Sequence, residues 1–261
     1  MGVVHGRVLR IWREGNKIRF EAFPGDPDES LIRDYFRLDV NLAALYSQFA
    51  QVDPRMSGVI QRFKGLRVLR QEPEETLLSY ICSAANSVKR ISSSVEILSK
   101  KYGELIAEVE NEEYYSFPTA ATLAAVDSEC MKGICSLGFR CANLNSIARQ
   151  LSDRPGWLNS LRGMSYEDAR KGLLELRGVG KKIADCVLLF SLDKDQAFPV
   201  DTHIRQIATR YYLPEFEQKS LTSAVYEQIV GHFQEKFGEY AGWAQEYLFY
   251  EDLLSREERS H

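Results

Sequence analysis

The stretch Leu173–Tyr211 concentrates residue types that make and break covalent bonds. It reads as a helix, a Gly178-Val179-Gly180 turn and a second helix, with Lys182 in that helix's opening turn. A helix N-terminus is electropositive and disfavours a cation, and Ile183, Val187 and Leu188 make this helix apolar, so the lysine pKa is expected to fall. Moving a lysine from ~10.4 to ~7.5 costs the ammonium roughly 4 kcal/mol and exposes neutral amine. Neutral amine is the form that attacks an electrophilic carbon and builds a Schiff base. The competing reading makes Lys181 or Lys182 a solvated contact to an anion. Asp201, in Pro199-Val200-Asp201-Thr202, has the setting of a helix N-cap. Capping alone explains an aspartate there. It also fixes a carboxylate rigidly, where it can stabilise a developing cation or steer a proton. Cys186 lies one helical turn after Lys182 and shares its face, unless it is simply a small core residue.

The turn has a second use. Gly178 and Gly180 let the backbone bend tightly and approach a partner closely. Amide N–H groups at the start of the following helix then form an anion site suited to a DNA phosphate. An ordinary helix–helix turn is the plainer alternative.

These residues need a helical frame, and the hydrophobic periodicity supplies one. Segments Val40–Phe49, Glu72–Asn86, Val88–Lys101, Asn143–Leu151, Tyr166–Leu176, Lys181–Leu192, His203–Tyr212, Ser220–Phe237 and Ala241–Leu254 all carry 3.6-residue spacing. Ser165 and Asp168 resemble a capping box. Before Glu29 the pattern changes. Val3–Trp12 reads as one strand, and Ile18, Phe20 and Ala22 alternate with charged residues across a Gly15-Asn16 turn. The expected architecture is mainly α, with a partial β appendage over residues 1–28 and a helical body over residues 29–261.

Composition narrows the class. The chain has 261 residues, 44% hydrophobic and 27% charged, enough for a sizeable core. Net charge is −4 and the pI about 5.7, so any nucleic-acid site must be a local cationic stripe on an acidic body. No apolar run of roughly 18 residues predicts a membrane span, and arginines interrupt the N-terminal segment, so an intracellular protein without membrane association is expected. Five cysteines are an odd number for a disulfide framework. Cys130, Cys135 and Cys141 lack a fourth ligand and metal-site spacing, so buried or incidental thiols are expected.

Gly178-Val179-Gly180-x-Lys182 followed by Pro199-Val200-Asp201 resembles the helix-hairpin-helix DNA glycosylase superfamily. Val200-Asp201-Thr202-His203-Ile204 is similar to endonuclease III-type enzymes, but no cysteine follows Cys186 to build their iron–sulfur loop. Arg33-Asp34-Tyr35-Phe36, Leu66-x-Val68-Leu69-Arg70-Gln71, Ile81-Cys82-Ser83 and Ala241-Gly242-Trp243-Ala244-Gln245 are instead similar to the 8-oxoguanine DNA glycosylase/lyase family. The resemblance runs from about residue 29 to 255. It implies a helix-hairpin-helix glycosylase fold with its hairpin at about 173–192, and base-excision repair of oxidised purine in double-stranded DNA. It implies that Lys182 attacks C1′ of the damaged nucleotide, that Asp201 stabilises the sugar cation, and that β-elimination then nicks the strand. Cys186 would meet the flipped base, as a thiolate–ammonium dipole with Lys182. Gln245 would read the Watson–Crick edge and Phe249 would stack, their spacing placing both on one face of a helix whose plainer role is core. His203 would contact phosphate, oriented by Asp252, and Gly178, Val179 and Gly180 would hold the backbone. Phe139 stands where the family has tyrosine in its wedge loop. Arg90, Arg140 and Asn86 would face the orphaned base. The resemblance implies a monomer without metal or organic cofactor, beyond a structural monovalent cation at the hairpin, working inside the cell on its DNA.

Two departures stand out. Ala85 replaces an asparagine that bonds to the orphaned base, which predicts weaker reading of that base. The family's earlier strands have no counterpart before Val3, which predicts a truncated β segment and weaker preference for 8-oxoguanine over guanine. The rival readings are a same-fold glycosylase for another lesion, a lyase acting only on abasic sites, and a non-catalytic DNA-binding module. The last needs neither Lys182 nor Asp201.

Overall fold

A computed structural model of the chain describes residues 1–25, 28–83, 88–127 and 140–259. An antiparallel sheet opens it, with β1 (Gly2–Val4), β2 (Arg7–Glu14) and β3 (Lys17–Phe23) in sequential order. The segment expected as one strand is broken at His5 and Gly6, which take φ of 48° and 70° and close a two-residue hairpin between Val4 and Arg7. Positive φ at both central residues is what a tight hairpin turn requires. Leu9 and Ala22 form a small apolar cluster with Ile32 of α1 (Glu29–Tyr35).

A body of helices follows: α2 (Leu42–Val52), α3 (Pro54–Arg62), α4 (Pro73–Ser83), α5 (Val88–Tyr102), α6 (Ala120–Ala125), α7 (Arg140–Ser152), α8 (Trp157–Ser160), α9 (Tyr166–Leu174), α10 (Lys181–Ser191), α11 (Thr202–Tyr211), α12 (Ser223–Phe237) and α13 (Ala241–Arg259). Side chains of Asn41, Asp53, Ser165, Asp201 and Thr222 accept amide N–H groups at helix starts, so local chemistry fixes where these helices begin. A second hairpin, β4 (Leu105–Val109) and β5 (Glu112–Tyr115), interrupts the helices. Its turn residues Glu110 and Asn111 have φ of 54° and 64°. Among the described residues no helix is long and apolar enough to cross a membrane.

Helix α10 is the centre of the body. Ile183, Ala184, Asp185, Cys186, Val187, Leu188 and Leu189 are all buried, so it is enclosed on nearly every side. Burying each of its large aliphatic side chains stabilises the fold by roughly 1.5–3 kcal/mol. Helix α4 packs against it, with Tyr80 stacked on Phe190 at 6.0 Å. Helix α13 presents two faces. Trp243, Ala244, Tyr247 and Leu248 enter the core, while Gln245, Glu246 and Phe249 line a cavity. Gly242 lets this helix dock. A Cβ there would lie 2.3 Å from Leu189 Cδ1 and 2.4 Å from the Ala197 carbonyl oxygen.

Candidate active site

The turn before α10 is built as its glycines demand. Gly178 takes φ of 101° and packs on Asn143, while Val179 is buried and anchors the loop. Gly180 is extended at φ −94°, a conformation open to any residue. Its use is the missing side chain: among the described residues nothing lies near its Cβ direction, and it gives α10 no side-chain cap. The first amides of α10 are thus left for an external acceptor such as a phosphate.

The two adjacent lysines part here. Lys181 donates to the Ser223 carbonyl at 3.3 Å and pairs with Glu227 at 2.5 Å. Lys182 turns into the cavity, with its ammonium 4.7 Å from the Tyr80 ring centroid. Among the described residues no carboxylate pairs with it. That sorting favours Lys182 over Lys181 as the reactive amine.

Asp201 caps α11 with Oδ1 accepting the Ile204 N–H at 2.8 Å, and lines the same cavity. A polar network fixes it relative to Lys182. Asp185 on α10, fully buried, accepts from Arg170 Nε of α9 and from the Tyr226 hydroxyl of α12, each at 2.7 Å. Tyr226 Oη in turn accepts the Val200 N–H at 3.2 Å, one residue before Asp201. Three helices and the segment leading to the carboxylate are tied at one point.

Cys186 is buried beside Lys182, and burial pushes its thiol up to about 12 against the opposing charge of Lys182. The thiol hydrogen-bonds to Tyr80, and its enclosure works against the expected thiolate–ammonium dipole. Gln245 is 4% exposed and, among the described residues, its Oε1 has no hydrogen-bond partner, although it borders the cavity. A buried amide oxygen without a donor is costly, and an N–H-bearing ligand would satisfy it. Phe249 stands edge-on to His203 at 5.5 Å, and His203 Nδ1 is 2.9 Å from Asp252 Oδ2.

The cavity holds about 1000 Å³, room for a nucleobase with part of its sugar. A shallower depression of about 390 Å³ on the outer face of α9 has none of these groups. The structure thus brings together Lys182, Asp201, Cys186, Gln245, Phe249 and His203, with Asp252 behind. Arg90 is exposed on α5, apart from the cavity lining. Asn86, Ala85 and Phe139 lie outside the described residues, as do Cys130 and Cys135, and Arg140 is described only as the first residue of α7.

Sequence reasoning missed Tyr80, the Asp185 network and Glu246. Glu246 borders the cavity beside Gln245, and burial, then the charge of Asp201, push its carboxyl up to about 7. The signal for both acids was an ionisable residue inside an apolar helical run: Ile183-Ala184-Asp185-Cys186-Val187 and Trp243-Ala244-Gln245-Glu246-Tyr247-Leu248.

Residues 1–77 match the family described as 8-oxoguanine DNA glycosylase, N-terminal domain, and residues 78–232 match the HhH-GPD superfamily base excision DNA repair proteins. The chain is 37% identical over 229 residues to the N-glycosylase/DNA lyase OGG1 of Arabidopsis thaliana, covering 86% of this chain and 62% of that protein. It therefore spans less than two thirds of that relative's length. Identity to the N-glycosylase/DNA lyase of Saccharomyces cerevisiae is 33% over 284 residues, covering 94% of this chain and 73% of that protein. The Clostridium acetobutylicum 8-oxoguanine glycosylase/lyase, solved with double-stranded DNA carrying cytosine opposite 8-oxoG, matches at a TM-score of 0.87 and 28% identity. That match covers 99% of this chain and 84% of the solved one.

Proposed function

The chain belongs to the HhH-GPD superfamily of base excision DNA repair proteins, in its 8-oxoguanine glycosylase branch, and from that premise we propose that it is a bifunctional DNA glycosylase and abasic-site lyase acting on 8-oxoguanine in double-stranded DNA. One observation carries the reading. Among the described residues, a lysine without a counter-charge, a capped aspartate and a buried amide oxygen lacking a donor converge on one cavity of nucleobase size.

The target base is unreachable inside a duplex, so it must swing out, at a cost of a few kcal/mol. Phe139 fills the vacated step, and Asn86, Arg90 and Arg140 meet the orphaned base. The hairpin Gly178-Val179-Gly180 and His203, oriented by Asp252, hold phosphates. In the cavity Gln245 Oε1 accepts an N–H from the base's Watson–Crick edge, and Phe249 stacks against the ring. Lys182 Nζ attacks C1′ as the base leaves, and Asp201 stabilises the cationic sugar. The resulting Schiff base acidifies the C2′ proton, and its loss expels the 3′ phosphate. Amine, carboxylate and DNA supply every reacting group, so the reaction uses no metal or organic cofactor, and any cation at the hairpin would be structural. One chain holds the whole cavity, so the enzyme acts as a monomer, inside the cell with its DNA.

A nicking assay tests the reading. Duplexes carrying 8-oxoguanine, other lesions, guanine or a plain abasic site are incubated with the chain. Cleavage at 8-oxoguanine and at the abasic site is expected. Nicking of the abasic duplex alone identifies a lyase, and binding without any nicking identifies a non-catalytic module.

A further inference from the structure

The geometry points to Glu246 as the general acid that protonates the departing base. This rests on the glycosylase reading above and names a residue that reading does not use. Glu246 follows Gln245 on α13 and shares its cavity-lining face with Phe249. It also faces Asp201 closely enough to feel that carboxylate's charge. Its side chain therefore shares one cavity with Gln245 and Phe249, which read the base, and with Asp201, which stabilises the sugar. Among the described residues it has no hydrogen-bond or ion-pair partner. A carboxyl held in protein without a partner is costly, and acids kept so are found where chemistry uses them.

The two carboxyl groups have opposite settings. Asp201 accepts an amide N–H at the start of a helix, which suits an anion. Glu246 is half-buried and lines the cavity, and burial, then Asp201, hold its proton to about pH 7. Paired carboxyls with diverging environments divide acid and electrostatic roles. Other titratable groups face the same space: Lys182 and Cys186 from α10, His203 from α11, Tyr80 from α4 and Tyr226 from α12. Lys181 also borders it but is tied to Glu227. Cys186, raised to about 12, keeps its proton throughout the working range. An incoming base would displace water and strengthen Glu246's hold on its proton.

The glycosidic C1′–N bond breaks with its electron pair passing to the base, and the Glu246 proton is delivered to that base. Neutral Lys182 Nζ bonds to C1′ and becomes positive, while Glu246 is left as carboxylate. The new ammonium then returns a proton to Glu246.

Single-turnover excision of 8-oxoguanine, measured from about pH 6 to 9, tests this for the parent and for Glu246→Gln. Borohydride trapping on a preformed abasic duplex runs in parallel, since that substrate has no base to protonate. The parent rate is expected to fall on the alkaline side. Glu246→Gln is expected to lose roughly 10²- to 10⁴-fold in excision and to lack that alkaline limb, while still trapping on abasic DNA. A parent profile without an alkaline fall overturns the proposal whether or not the variant folds. So does parental excision by Glu246→Gln, or an equal loss of excision and trapping. A parent that neither excises nor traps would instead defeat the glycosylase reading itself.

Discussion

Replacing Asp185 with alanine removes the acceptor on which three helices converge. Its carboxylate is fully buried, and it holds Arg170 Nε and the Tyr226 hydroxyl at 2.7 Å each. Breaking one partner of a buried ion pair costs about 3–5 kcal/mol, because the other charge stays in protein uncompensated. Here Glu227 remains 3.0 Å from Arg170 Nη1, so the lower end applies. Tyr226 also loses a buried partner, which adds about 1 kcal/mol. A total near 3–4 kcal/mol should lower the urea midpoint by about 1 M, for a slope of roughly 3 kcal/mol per molar. The effect should reach the site as well, since Tyr226 loses the contact that holds it against Val200, next to Asp201. Asp185→Asn keeps the volume and an oxygen acceptor, so it should cost less than Asp185→Ala. Urea unfolding of both variants, followed by abasic-site trapping under native conditions, reads both consequences. A cost below about 1 kcal/mol for Asp185→Ala would refute the argument that this network holds α10 and Asp201 in register.

Gly242→Ala would drive a methyl against Leu189 and the Ala197 backbone oxygen, and backbone cannot yield as a side chain does. A loss of about 1–3 kcal/mol or more is expected by thermal unfolding, with reduced base excision because Gln245 and Glu246 ride on the same helix. The Glu246 carboxyl keeps its proton to about 7 in the folded chain, against 4.5 ordinarily, so the folded state binds more protons between those values and stability falls as pH rises through them. Glu246→Gln lacks this penalty, so it should gain on the parent by up to about 3 kcal/mol between pH 4 and pH 8, less whatever cavity water screens. A parent–variant difference in urea midpoint that ignores pH would contradict it. DNA binding should fall steeply with salt despite the acidic pI. If about five phosphates are neutralised, log K against log salt should slope at about −4 to −5, and a flat response would count against phosphate contact.

Most of the helices were legible because their signals are local, whereas α1, α3, α6 and α8 were not delimited. Ser165 and Asp201 announce caps within a few residues, and α10 carries its turn, its lysine and its apolar faces in one continuous stretch. The β4–β5 hairpin was not legible. Its turn is Glu110-Asn111, without the glycine that usually marks positive φ, and its strands are short. Val3–Trp12 read as one strand because His5-Gly6 is a two-residue break inside an apolar run. The site divided in the same way. Lys182, Asp201 and Gln245 sit in recognisable motifs. Glu246 and Asp185 were visible only as charges among apolar neighbours, because what they do depends on Asp201, Arg170 and Tyr226, which other helices bring to them. The enclosure that raises the Cys186 thiol was not legible either, since it is a property of the packed core.

The central claim is that Lys182 is the nucleophile, and covalent trapping tests it most directly. The chain is mixed with duplex DNA containing an abasic site or 8-oxoguanine, reduced with borohydride and digested, and the DNA-bearing peptide is sequenced by mass. The account predicts an adduct on Lys182 with both substrates, and none with Lys182→Gln. An undiminished adduct in Lys182→Gln, or one mapped to Lys181, would contradict it.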